Sequence, residues 1–213
     1  YIHNVGGNGI FFDKYNRHSA ITGSFLTSIG ASAICFVGDP AGVRSPSFRY
    51  EEFVTLDKMD RAKGPLNENH PAYCEVYNNL ICNIGLFEKQ ITGVELSMCR
   101  NITISHNSIY DTPRAGINIS EGTWGGHIIE HNDIFNTVKE TGDHGSINSW
   151  GRDRFWHPDY NVMAQIVCEH PALILADIVN PIIIRHNRLR CDRGWDIDLD
   201  DGSSNYQIYD NLC

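Results

Sequence analysis

Ile104-Ser105-His106-Asn107-Ser108-Ile109 and Ile129-Glu130-His131-Asn132-Asp133-Ile134 are the same phrase written twice: apolar, two polar residues, Asn, any residue, apolar. It occurs again as Val76-Tyr77-Asn78-Asn79-Leu80-Ile81, as Ile184-Arg185-His186-Asn187-Arg188-Leu189 and as Ile208-Tyr209-Asp210-Asn211-Leu212-Cys213. A degenerate copy, Ile21-Thr22-Gly23-Ser24-Phe25-Leu26, has serine in place of the asparagine. Each phrase is followed by a glycine or small residue and a strand that alternates apolar and polar residues. Gly116-Ile117-Asn118-Ile119, Gly145-Ser146-Ile147 and Gly194-Trp195-Asp196-Ile197-Asp198-Leu199 are examples. Alternation of period two puts one set of side chains inside and the other outside.

Uninterrupted, successive asparagines fall 28, 25 and 24 residues apart. A unit of about two dozen residues with two or three short strands is the period of a parallel β-helix. The sequence therefore predicts an all-β solenoid, a single right-handed parallel β-helix domain over residues 1–213. Stacked one coil apart, roughly 4.8 Å, the asparagine amides would bond up and down the coil as a ladder. The chain opens inside one coil and stops straight after an Asn phrase, so the reading is of a coil cut from a longer one. Uncapped ends of that kind would allow end-to-end contacts or contacts in an extracellular assembly.

The period breaks twice, with intervals of 55 residues between Ser24 and Asn79 and between Asn132 and Asn187. The excess falls at about 38–72 and 151–181, after a glycine strand and before an Asn phrase in both cases. Loops leaving one corner project on one side and often build a binding face. The second holds Arg152, Asp153, Trp156 and Glu169, residue types that stack on sugar rings and bond their hydroxyls. The same aromatics would equally serve to pin the loops to the coil.

Bulk properties narrow the partners. A net charge of −9 argues against nucleic acid. It also makes an acidic polysaccharide a less natural ligand unless a local basic cleft or a bound cation intervenes. No apolar run approaches the roughly 20 residues of a membrane span. Seven cysteines are many for a cytosolic protein; without a CxxC pair they speak against structural zinc, and the odd count fits a partner outside the sequence or a free buried thiol. The sequons Asn101-Ile-Thr103 and Asn118-Ile-Ser120 point the same way, to a secreted or extracellular protein.

Two runs carry the chemistry. In Asp196-Ile197-Asp198-Leu199-Asp200-Asp201-Gly202, Ile197 and Leu199 should face the core and leave Asp196, Asp198 and Asp200 side by side outside. Carboxylates so crowded repel, which raises at least one pKa and prepares an acid and a base. Their oxygens would also suit a hard cation such as calcium, or form a solvated acidic turn. In Asp143-His144-Gly145 through Asn148, Trp150, Arg152 and Asp153, a histidine precedes a strand whose polar residues share its face. Asp143 and His144 join Asp198 and Asp200 as catalytic candidates. Asn148, Trp150, Arg152, Asp153, Trp156, Glu169 and Asp196 are the substrate-binding candidates, and no metal ligand set is assigned.

These two blocks, with Gly202-Ser203-Ser204-Asn205-Tyr206 closing the second, resemble the β-helical glycoside hydrolases that include β-xylosidases, within the pectate-lyase-like superfamily. The resemblance runs roughly from Tyr73 to the end. It implies a retaining hydrolase of a polysaccharide or its oligosaccharides, with Asp198 or Asp200 as nucleophile. The acid/base carboxylate would then stand about one coil later, beyond Cys213. Two other functions fit the residues. One is a calcium-dependent polysaccharide lyase or epimerase, with Arg152 or His144 near the substrate. The other is a structural or glycan-binding module without catalysis.

Overall fold

A computed structural model describes residues 1–121 and 123–213. Among the described residues the strands form three six-stranded sheets and one short pair, Asn16–Arg17 with Pro71–Ala72, in which every pairing is parallel, and each coil visits the three large sheets in the same order. Sheet I consists of Ile2–Val5, Phe25–Ile29, Leu80–Ile84, Ser108–Tyr110, Asp133–Phe135 and Arg188–Arg190. Sheet II consists of Ile10–Asp13, Ile34–Val37, Val94–Ser97, Ile117–Ile119, Gly145–Ser149 and Trp195–Leu199. Sheet III consists of Ala20–Thr22, Glu75–Tyr77, Thr103–Ser105, Ile128–Glu130, Ile182–Arg185 and Tyr206–Tyr209. The fold is a parallel β-helix.

The apolar positions of the repeat become files along the coil axis. In sheet III the register stacks Ile21, Val76, Ile104, Ile129, Ile184 and Ile208. Sheet I stacks Leu26, Ile81, Ile109, Ile134 and Leu189, and sheet II stacks Ile34, Val94, Ile117, Ile147 and Ile197. All but the outermost members are buried in one continuous core. Each fully buried aliphatic contributes about 1.5–3 kcal/mol, so the files supply most of the driving force.

The corner between sheets III and I explains the rest of the phrase. Its third residue is left-handed in every coil: Gly23, Asn78, His106, His131, His186 and Asp210 have φ between 53° and 59°. That conformation suits glycine, asparagine, aspartate and histidine and penalises β-branched residues. The next residue is the ladder asparagine. Asn107 Oδ1 accepts from the backbone N–H and the Nδ2 of Asn79 at 2.9 and 3.0 Å. Asn107 Nδ2 donates to Val76 O at 2.9 Å and to Asn132 Oδ1 at 3.0 Å. The pattern repeats through Asn187 to Asn211. At the other end the Ser24 backbone N–H donates to Asn79 Oδ1, and its hydroxyl turns back to Thr22 O. Serine thus keeps the turn but ends the amide ladder.

Between Val37 and Pro71, and again between Ser149 and Ile182, the chain leaves the coil at the corner between sheets II and III. The two excursions fold on each other. Phe155, Ile166, Leu173 and Ala176 of the second make a small core with Leu56 and Met59 of the first. Ile166 lies on helix α1 (Tyr160–Glu169), whose N-terminus is capped by Asp159, bonded to the Asn161 N–H at 2.8 Å. Arg154 is the clamp. It pairs with Asp177, both buried, and reaches the Asp60 and Ala62 carbonyls at 2.6 and 2.7 Å.

Four of the seven cysteines, Cys35, Cys74, Cys82 and Cys99, are buried, and none of the seven is in a disulfide among the described residues. There they act as small apolar fillers. Asn118 of the second sequon is 1 % exposed and hydrogen-bonded inside the protein, which removes it as a glycan acceptor in the folded chain. No helix among the described residues is long and apolar enough to cross a membrane.

Asn107→Ala should destabilise the fold by about 2–6 kcal/mol, because it takes the side-chain partner from the buried Asn79 N–H and from the Val76 carbonyl at about 1–3 kcal/mol each. Equilibrium urea unfolding measures this, and a loss below about 1 kcal/mol would show the ladder to be dispensable.

Candidate functional site

The outer face of sheet II carries a polar file. Register places Glu95, Asn118, Asn148 and Asp198 side by side in four successive coils. Asn148 Nδ2 donates to Asn118 Oδ1 at 3.2 Å, and Asn118 Nδ2 donates to Glu95 Oε1 at 3.0 Å. Ser120 and Thr92 hydroxyls also bond the Glu95 carboxylate, at 2.5 and 3.2 Å. Burial nevertheless pushes the Glu95 pKa up, against those bonds and the pull of Arg114. The file ends at Asp198, which lacks such a cage.

Above the Asp198 end lies an open cleft of ≈ 170 Å³ lined by Arg114, His144, Asn148, Trp150, Arg152, Asp200 and Asp201. Arg114 and His144 come from adjacent coils, each two residues before the paired Gly116 and Ser146, although the backbone bond of Arg114 O is to the Val138 N–H. Arg152 is fixed by rings, with its guanidinium carbon 4.9 Å from the Trp150 ring centre, 5.6 Å from Trp156 and 5.7 Å from Tyr50. Tyr50 belongs to the first excursion, so both excursions support this wall. Gly202 closes the turn after Asp201 at φ +72°. A side chain there would meet the Gly151 carbonyl at 1.9 Å, so only glycine fits.

The protonation pattern follows from burial and crowding. Burial raises the Asp198 pKa, and Asp200 and Asp143 raise it further against the opposing pull of Arg114. His144 moves the other way: burial and then Arg114 lower its pKa, outweighing Asp143 and Asp200. Thr141 Oγ1 lies 3.1 Å from its Nδ1 and fixes the ring. A histidine biased toward its neutral form thus lines the cleft, and a carboxyl biased toward its acid form stands at the end of the polar file beside it.

Of the residues singled out in the sequence, His144, Asn148, Trp150, Arg152 and Asp200 line the cleft, and Asp143 and Asp198 act on its charges. Four others go elsewhere. Asp196 is not beside Asp198 and Asp200: its Oδ1 accepts the Cys191 N–H at 2.7 Å, tying down the preceding loop. Asp153 is buried next to Ser204 and Asp177, with its pKa raised well above the usual range by burial first and Asp177 second. Trp156 is buried behind Arg152. Glu169 ends helix α1 on the surface, bonded to Gln165 at 2.9 Å. Arg114, Glu95 and Asp201 were not singled out. Glu95 lies in Gly93-Val94-Glu95-Leu96, a further copy of the glycine-strand phrase, and that alignment would have found it. Among the described residues no three His, Cys, Asp or Glu side chains converge as metal ligands.

A larger hollow, ≈ 580 Å³, opens beside the last strand of sheet I. Its charged side chains are already paired, Arg188 with Asp133 and Arg190 with Asp192.

No family model matches the chain, and no curated protein matches it. Among solved structures it is similar to the Azotobacter vinelandii mannuronan C-5 epimerase AlgE6 A-module, with a TM-score of 0.54 at 11 % identity. The superposition covers 99 % of this chain and 51 % of that one, so the chain spans about half the module's length. At that identity the likeness shows the fold.

Asp198→Asn should raise the melting temperature at pH 7. Below the unfolded carboxylate pKa, near 4, both states are protonated and Asp198 costs nothing; as pH rises through its higher folded pKa, the charge destabilises the native state. The gain should therefore fade toward about pH 3. A variant less stable than wild type at neutral pH would contradict the assigned environment.

Proposed function

We propose that the cleft hydrolyses a glycosidic bond in a polysaccharide or an oligosaccharide derived from it, by a retaining mechanism. The observation that carries this reading is the pair Asp198 and Asp200, two residues apart at the open end of the polar file, with Asp198 biased toward its acid form. Their Cα atoms are about 6.6 Å apart along a strand, so modest leaning brings the carboxyls to the roughly 5 Å that retention requires. Asp198 protonates the leaving oxygen while Asp200 attacks the anomeric carbon, giving a glycosyl-enzyme. Asp198, now a carboxylate, takes a proton from water as that water displaces Asp200. Trp150 offers a flat face for a sugar ring, and Asn148 and Arg152 offer donors to its hydroxyls. The resemblance of the two sequence blocks to β-helical glycoside hydrolases supports a retaining hydrolase with its nucleophile at Asp198 or Asp200; the choice of Asp198 as acid/base, in place of a carboxylate one coil later, rests on its burial and its crowding by Asp200 and Asp143.

A second reading rests on His144. A neutral histidine beside Arg114 suits abstraction of the C5 proton of a uronate, the step of a lyase or epimerase. The solved structural neighbour, named as a mannuronan C-5 epimerase, supports that alternative equally well, and calcium would belong to it. Binding without turnover of any glycan would leave a binding module.

Assays on the intact protein with neutral and acidic oligosaccharides separate these readings. Hydrolysis gives new reducing ends without ultraviolet absorbance, elimination gives both, and epimerisation gives neither but changes the proton spectrum of the sugar. Asp200→Asn should lower kcat by about 10²–10⁴-fold or more. Asp198→Asn should slow poor leaving groups by a similar factor but spare activated aryl glycosides. Full activity in both variants would remove the hydrolase reading.

A further inference from the structure

Every arginine but two makes a hydrogen bond or ion pair within the described residues. The two are Arg114 and Arg152, and both line the cleft. Arg114 is 8 % exposed, and the Nε atoms of both are fully buried with no partner. A guanidinium withdrawn from water without acceptors is costly unless something supplies them. Of the carboxylates around the pair, Glu95 and Asp198 near Arg114 and Glu121 near Arg152 are shifted toward neutrality, mainly by burial, while Asp200 and Asp201 line the same cleft. Arg152 is also held in place by three aromatic rings before any ligand arrives. Rigid guanidinium forks of this kind match planar or tetrahedral oxyanions.

We infer that the cleft takes a glycan bearing an anionic substituent, a carboxylate or a sulfate ester, held by Arg114 and Arg152. The inference deepens the carbohydrate reading and rests on it for the ligand's sugar part. It takes up the exception that the net charge leaves open: the chain is acidic as a whole, but two guanidiniums without a hydrogen-bond or ion-pair partner among the described residues line the cleft where the substrate would lie.

Isothermal titration of the intact protein tests this with five probes: tetragalacturonate, tetramannuronate, the carboxyl-reduced counterpart of each, and a sulfated galactan tetrasaccharide. Product formation is followed in the same samples. An acidic or sulfated probe should bind at least about tenfold more tightly than the neutral ones, the worth of one charge-assisted hydrogen bond. That preference should collapse in Arg152→Gln and in Arg114→Gln. Preference for a uronate identifies a carboxylate, and preference for the galactan identifies a sulfate ester. Thermal unfolding reports whether each variant folds; should Arg114→Gln fail, the part-exposed Arg152 decides alone. Equal binding of acidic and neutral probes, a preference that survives in both folded variants, or no binding of any probe overturns the inference. Hydrolysis of a neutral glycan would then still stand, whereas selective anionic binding without turnover would sink the hydrolase and keep the anion site.

Discussion

The asparagine ladder is the constraint on which the molecule hangs. Each inner ladder amide accepts two hydrogen bonds from the coil before it, donates to a carbonyl of that coil, and donates to the amide of the coil after it. A corner made in this way allows one register between successive coils. Register in turn decides which side chains share a file. Shifted by one residue, a strand would turn its apolar file outward and its polar file inward. Glu95, Asn118, Asn148 and Asp198 therefore stand in a row for the same reason that Ile117 stacks on Ile147.

The repeat made the fold legible because every position in the phrase has its own physical job: an apolar file, a left-handed corner, a ladder amide. A period visible in five full copies leaves little room for another architecture. The site was legible in part. Asp198, Asp200, His144, Asn148, Trp150 and Arg152 lie close to glycine-strand phrases, where alternation places side chains correctly. Arg114 escaped because a single arginine before Gly116 signals nothing until the fold brings it into the cleft that His144 lines. Asp196 was misplaced because strict alternation was carried back to a strand start, where the side chain is instead committed to the Cys191 N–H. Asp153, Trp156 and Glu169 were read as surface groups of a loop. The excursion has a small core of its own, which buries the first two and carries the third away on a helix.

Electrostatics in the cleft follow from the same layering. Outer-face residues of a β-helix are normally wet, but here Asn118 and Asn148 of the polar file are buried, and residues of the second excursion and the Arg114 loop line the cleft at its end. Burial is the leading cause of every shift described around it, and neighbouring charges only modulate the result. The excursions thus do more than decorate a corner: they lower the local dielectric in which acids, bases and guanidiniums meet.

The left-handed corner and its amide recur at each coil as an equal translational step, which makes the fold modular. A chain of this kind can gain or lose a whole coil and remake its ladder at the seam, with every apolar file still continuous. The cleft has no such freedom. Arg114 comes from one coil, His144, Asn148 and Arg152 from the next, and Asp198 and Asp200 from the one after. Inserting one coil anywhere among these three would preserve the architecture and pull the site apart. The scaffold can vary in length, while these three consecutive coils are inherited together or not at all.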